Sequence, residues 1–319
     1  MELLTVLLLS VHLGMVDLAM AGPVLCIWLE WRAGRRSDAL AACMGPILAR
    51  ASVWALAGGI VLGILLLAIK YVASDPAYFT ALGAIPASRL WFGLGELAFS
   101  LVLLALYATL WNRLSRHRWW HRVLAMAAAS NLMMHFPALF VIVSVIRERW
   151  PLAGQTLDAA GYRRMLLDGE VLSRVVHVWL AAFAVAGASL MGIVLRYGRE
   201  NPLAPRLIQR AALIALVPSV LQIPTGLWIA MEMPEAARVE ILGGDAVATG
   251  IFSAAIVVAL YWLHAVAAIA LGDCDRRRVR RSIATLSLLL ILMVAARSRP
   301  LFLGRYTDVA ENSHDSRCR

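Results

Sequence analysis

Apolar residues come in long runs along this chain, separated by short polar gaps rich in arginine. A bilayer core about 30 Å thick takes about 20 apolar residues per helix. On that measure eight segments emerge, at 3–29, 50–72, 89–111, 123–146, 171–195, 211–231, 246–271 and 283–296. The pattern predicts an all-α fold, a polytopic membrane bundle of about eight transmembrane helices. The gaps contain no Ser/Gly linker, low-complexity stretch or repeat, so residues 1–300 read as a single membrane domain and 301–319 as a polar C-terminal tail. The opening MELLTVLLLSVHLGMVDLAMAGPVLC imitates a signal peptide with A-M-A where cleavage would fall. However, Glu2 stands where a positive region belongs and the apolar run continues past Trp28, which makes it a first membrane helix.

Composition agrees with the pattern. The 319 residues are 61% apolar and 16% charged, with a mean hydropathy of +0.75, against about 45–50% and about 25% in soluble domains. That excludes an ordinary soluble enzyme. The net charge of +10 would point a soluble protein toward nucleic acid. Here the positive-inside rule accounts for it, and no nucleic-acid partner is expected. Loops after the first, third, fifth and seventh segments hold seventeen basic residues, among them Arg32, Arg113, Arg206 and the run Arg276–Arg281. They hold five acids (Glu30, Asp38, Glu200, Asp273, Asp275), while the other side has thirteen charges of each sign. Those loops are expected in the cytoplasm and both termini outside, with MEMPEAARVEILGGD as an acidic outer loop and Trp119 and Trp120 as an interfacial belt. The expected location is the bacterial inner (cytoplasmic) membrane. Cys26, Cys43, Cys274 and Cys318 are too few and scattered for a disulfide framework or metal cluster, and without C-x-x-C-H covalent c-type haem is excluded.

Polar residues inside the apolar segments carry the chemical information, because each costs a few kcal/mol in lipid unless paired or ligated. Counted from the outer ends, His12 lies about nine residues into the first segment, Glu96 about seven into the third and His177 about six into the fifth, at about 1.5 Å each. His135 lies about eleven residues into the fourth, about 7 Å deeper than His177. A layer of histidines in a helix bundle suggests haem. The plainer alternative is a hydrogen bond to a neighbouring helix, open for His135 and favoured for His264. His117 and His121, one turn apart in a basic loop, are expected to be solvated, and His314 lies in the tail. Glu96 is open between a haem-pocket acid, a proton-relay carboxylate and an ion partner of Lys70. Asp17 is open between a proton site and a structural acceptor. Gln222 and Pro224 can mark a kink, and Met231 or Met233 can supply a thioether ligand or simply pack. No H-E-x-x-H, Walker A or G-x-G-x-x-G pattern is present.

The order of these residues resembles subunit I of the cytochrome bd quinol oxidases. LLLSVHLGMVDLAMAGPVLCIWLEW is similar to the family's first helix, with a histidine after a short apolar run and an acidic residue closing a long one. The stretch from GELAFSLVLLALYATLWNRLS to NLMMHFPALFVIVSVIRERWP resembles its Glu-bearing helix, G-W-D-R-L-S corner, G-S-N-L-S stretch and outer W-M-Q-x-P. SRVVHVWLAAFAVAGASLMG resembles its F-V-H-x-x-A-A helix. The resemblance implies that His177 ligates a low-spin haem b, that His12 is an axial ligand in the high-spin haem region, and that Glu96 lines that pocket. Haem b is the expected cofactor, with haem d possible. Lys70, arginines or tryptophans near the outer surface would hold propionates. Departures are visible too: the quinol loop shrinks to about fifteen acidic residues, the seventh segment lacks a methionine ligand, and the haem-binding glutamate would fall near Leu288. With that methionine missing, His135, which shares a face with Asn131 at i, i+4, becomes a candidate partner of His177 or His12 in a bis-histidine centre, with Met231 competing. The expected function is a membrane b-type cytochrome that passes electrons from a quinol or cytochrome donor near the outer face to a partner membrane subunit or oxygen. Alternatives are an active terminal quinol oxidase and a haem-free structural or transport subunit.

Overall fold

A computed structural model describes residues 2–149, 156–198 and 200–298. Among them the chain is helical, in the order α1 (Glu2–Arg36), α2 (Ala39–Val72), α3 (Pro76–Gly83), α4 (Ala87–Thr109), α5 (Arg118–Arg149), α6 (Ala159–Leu166), α7 (Gly169–Tyr197), α8 (Ala204–Glu232), α9 (Glu235–Val239), α10 (Ala246–Ala270) and α11 (Arg276–Ser298). Eight of these, all but α3, α6 and α9, are long and apolar enough to cross a membrane. The polar tail at 301–319, with His314 and Cys318, lies outside the described residues.

Helices outrun their apolar windows because backbone hydrogen bonding does not stop where lipid does. The 35 residues of α1 span about 50 Å, against a hydrocarbon core of about 30 Å. Prolines 23, 46, 137, 218 and 224 all lie inside helices, and α8 continues through both of its own. Bundle neighbours can re-satisfy the carbonyls that proline leaves without a donor.

Small residues set the closest approaches, as expected where packing rather than hydrophobicity joins helices in lipid. Gly58 and Gly59 of α2 admit Met15 and Val16 of α1. At Gly187 of α7 a Cβ would stand 2.8 Å from both the Ala211 carbonyl oxygen and the Ala215 nitrogen of α8. One face carries the α1–α2, α4–α5, α7–α8 and α10–α11 corners and most of the arginine, and is called the arginine-rich face below. In its tightest corner Ser37 takes a positive φ of 47° and Asp38 caps α2, accepting from Ala41 N–H at 3.0 Å and Arg32 Nη2 at 2.7 Å. Burial alone would push the Asp38 carboxyl up, but those donors outweigh it and hold it below its ordinary range.

The opposite face is tied by ions. Asp75 caps α3 and pairs with Lys70 at 3.5 Å and Arg147 at 2.9 Å. Arg149 binds Asp168 and Glu170, while Arg174 binds Glu148 and Glu170. Glu170 is fully buried between its two arginines.

Candidate functional site

On α1, His12 turns toward α2 and its Nδ1 lies 2.9 Å from the Gly59 carbonyl oxygen. A carbonyl only accepts, so Nδ1 carries the proton and donates it. That fixes the ring and directs the lone pair of Nε2 away from the bond, and Nε2 has no hydrogen-bond partner among the described residues. Gly63 clears the ring's flank, since a Cβ there would stand 3.1 Å from His12 Cε1. An imidazole anchored through one nitrogen with the other free is the usual state of a metal-ligating histidine.

His177 is held differently. Its Nδ1 is buried with no hydrogen-bond partner among the described residues, while its Nε2 lies 3.5 Å from the Gln222 amide nitrogen of α8. One turn toward the N-terminal end of α7, Arg174 is 6% exposed and its Nε is likewise buried without a partner among the described residues. Buried polar atoms nearly always find partners. Two orphans one turn apart therefore mark a place where this chain alone does not complete the bonding.

Contacts between helices replace the depth count with a register. Trp179 Nε1 of α7 donates to the Met133 carbonyl oxygen of α5 at 2.8 Å. The two helices run in opposite directions, and His177 and His135 each lie two residues beyond that bond on the same side. The two histidines are therefore level rather than offset. From the arginine-rich end, where Glu30, Tyr107 and His121 meet, helical rise puts Glu96 about 16 Å in, Asp17 about 20 Å, His135 about 21 Å and His12 about 27 Å. The expected layer of His12, Glu96 and His177 is thus corrected. Counting from segment ends went astray because helices outrun those ends by unequal lengths.

Other expectations divide. His135 is half-buried; its Nδ1 lies 3.1 Å from the Asn131 carbonyl oxygen, and its ring packs edge-on against Phe92 of α4 at 5.4 Å. His177 turns to α8, so the two rings share a level without facing each other. Asn131 spends its amide on Glu96 O and Ser100 Oγ of α4. Lys70 pairs with Asp75, which removes the Glu96–Lys70 pairing, and Glu96 is half-buried. Met231 is 77% exposed and sits nine residues beyond Gln222, so it does not reach His177. His264 is exposed on α10 rather than bonded to a neighbour. Asp17 is 4% exposed and has no hydrogen bond or ion pair among the described residues, which removes the structural-acceptor reading.

Sequence reasoning missed one cluster. His121, expected to be solvated, is 3% exposed: its Nδ1 meets Glu30 Oε1 at 2.5 Å and its Nε2 meets the Tyr107 carbonyl oxygen at 2.8 Å. Flanking Arg and Trp residues disguised it as loop. The usable signal was the spacing His121, Ala125, Ala128, Leu132, which is the buried stripe of α5 at helical period.

Among the described residues no three His, Cys, Asp or Glu side chains gather as a metal cluster, whereas a haem requires only one or two axial side chains. His12 and the orphaned atoms at His177 and Arg174 fit such a group. No curated protein sequence matches the chain. Its fold is similar to that of bd oxidase from Geobacillus thermodenitrificans, with a TM-score of 0.71 at 16% identity, over 92% of this chain and 84% of that one. The family model described as cytochrome bd terminal oxidase subunit I matches residues 3–243, from α1 to the turn before α10. Since that match spans most of the sequence, the chain belongs to the cytochrome bd terminal oxidase subunit I family.

Proposed function

We propose that this chain is a b-type haem-carrying electron-transfer subunit, taking electrons from a quinol or cytochrome donor near its acidic face and delivering them to a partner membrane subunit or to oxygen. The observation that carries the reading is His12, anchored through Nδ1 to Gly59 with Nε2 free, in a family whose members carry haem. Haem iron, when bound, supplies a one-electron couple whose potential the axial ligands and local dielectric tune. His12 Nε2 and His177 would hold the haem iron, and Arg174, whose Nε is without a partner among the described residues, would hold a propionate. Glu96 and Asp17 supply carboxyl groups inside the bundle, Asp17 as a proton acceptor with no competing partner. The charge asymmetry supports a reading in which the arginine-rich face lies in the cytoplasm and the membrane is a bacterial inner membrane.

The test is a reduced-minus-oxidised absorbance spectrum of the purified full-length protein, compared with His12→Ala and His177→Ala. The wild type is expected to show a haem b band. Each variant is expected to insert normally and lose part of that band, with the low-spin component following His177. A wild-type spectrum without haem, or variant spectra unchanged per protein, overturns the reading.

A further inference from the structure

Glu30 of α1, Tyr107 of α4 and His121 of α5 meet at the arginine-rich end of the bundle, roughly 20 Å from the level of His135 and His177. We propose that these three residues form a proton-binding site, which takes up and releases a single proton through the cleft beneath Arg118. The inference does not rest on the haem reading.

The geometry counts the proton. His121 Nε2 faces a backbone carbonyl at 2.8 Å, which can only accept, so Nε2 carries hydrogen. Nδ1 faces Glu30 Oε1 at 2.5 Å, and two lone pairs cannot be held at that distance. One proton must therefore lie between them, bonded to nitrogen with the carboxylate ionised or to oxygen with the imidazole neutral. Tyr107 donates its hydroxyl to the same Oε1 at 2.9 Å. Losing the shared proton would set a carboxylate against an imidazole lone pair and break the contact. Gaining a second would leave the carboxyl and the imidazole both protonated and cancel their ion pair. The contact therefore holds with one shared proton, and release of that proton or uptake of a second is the event that opens it.

Packing keeps the ring from finding another partner. The imidazole stacks on the Tyr107 ring at 4.1 Å and 25°, and Trp111 meets it edge-on at 5.0 Å. Trp111 in turn lies over Gly45 of α2, where a Cβ would stand 2.5 Å from its ring. The titratable and charged groups facing the pair are few. Cys26 of α1 donates to the Gly45 carbonyl at 3.6 Å, Arg122 of α5 approaches Glu30 Oε2 at 3.4 Å, and Arg118 stands at the mouth. From α2, Ala42 lines the cavity and Gly45 lies against Trp111. A cavity of about 90 Å³ lined by Glu30, Ala33, Ala42, Trp111, Arg118 and His121 leads to the surface, roomy enough for a water to carry the proton. A purely structural tie between helices would not need the opening to the surface.

Infrared difference spectra of the purified full-length protein, recorded through a pH titration, test the proposal. The wild type is expected to show carboxyl and imidazole bands that change together at one midpoint. Glu30→Gln and His121→Gln are each expected to destroy the coupling, leaving the remaining group to change alone and away from the wild-type midpoint. Tyr107→Phe, which keeps the pair and deletes one donor, is expected to retain the coupled bands at a displaced midpoint, and it serves as the reading if the other variants fail to fold. A wild type without paired bands, a carboxyl change in His121→Gln that keeps the wild-type midpoint, or a Tyr107→Phe spectrum with an unmoved midpoint overturns the proposal.

Discussion

At His177 the decisive neighbour is Gln222 rather than Met231 or Met233. Its amide closes the Nε2 side of the ring at 3.5 Å, while Met231 lies exposed. Gln222→Ala is therefore expected to shift the low-spin band of the reduced spectrum, and Met231→Ala to leave it in place; the reverse result would return the methionine to the site. His12 and His177 were legible in the sequence because a histidine inside an apolar run is costly and stands out. Gln222 was visible only as a kink marker, since nothing in LQIPTGLW says which helix its side chain meets. His121 was hidden for the opposite reason. Its neighbours in sequence are polar, and only the alanines one and two turns on reveal the buried face. Asp17 could be found but not assigned, because the absence of a partner is a property of three-dimensional packing.

Among the elements, the apolar runs named all eight long helices, and what they could not give was where each helix ends. Polar caps outside the lipid decide that. Asp38 is such a cap, and its depressed carboxyl sets the sign of a pH effect. The stabilisation is complete above the ordinary aspartate value and fades as the pH falls through the lower folded one. Asp38→Ala is expected to cost about 1 kcal/mol near neutrality, with the difference from wild type shrinking only below about pH 4 in thermal unfolding of the detergent-solubilised protein. The α7–α8 contact is stricter. Gly187→Val would drive a branched side chain into the Ala211 and Ala215 backbone, which cannot rotate away. A loss of about 1–3 kcal/mol is expected, read by the same unfolding measurement, whereas a neutral result would mean that the two helices separate easily.

For the molecule as a whole, the helix order puts every arginine-rich corner on one face, and the charge count reads that face as cytoplasmic. A reporter fused after Asp275 is expected to remain on the cytoplasmic side, and periplasmic activity of that fusion would invert the orientation. The register between helices was the part that sequence could not carry. It depends on side-chain bonds such as Trp179 to Met133, which join residues 46 positions apart. The ion cluster on the opposite face has a practical consequence. Lys70 is the sole lysine in the sequence, and its side chain is 27% exposed where it pairs with Asp75. Apart from the α-amino group, an acylating reagent thus has one site to modify, so a membrane-impermeant label applied to sealed vesicles would report sidedness in the unaltered protein by mass. Acylation would also neutralise one of the cations bound to Asp75, turning that label into a probe of how much the α2–α3–α5 junction depends on a single charge.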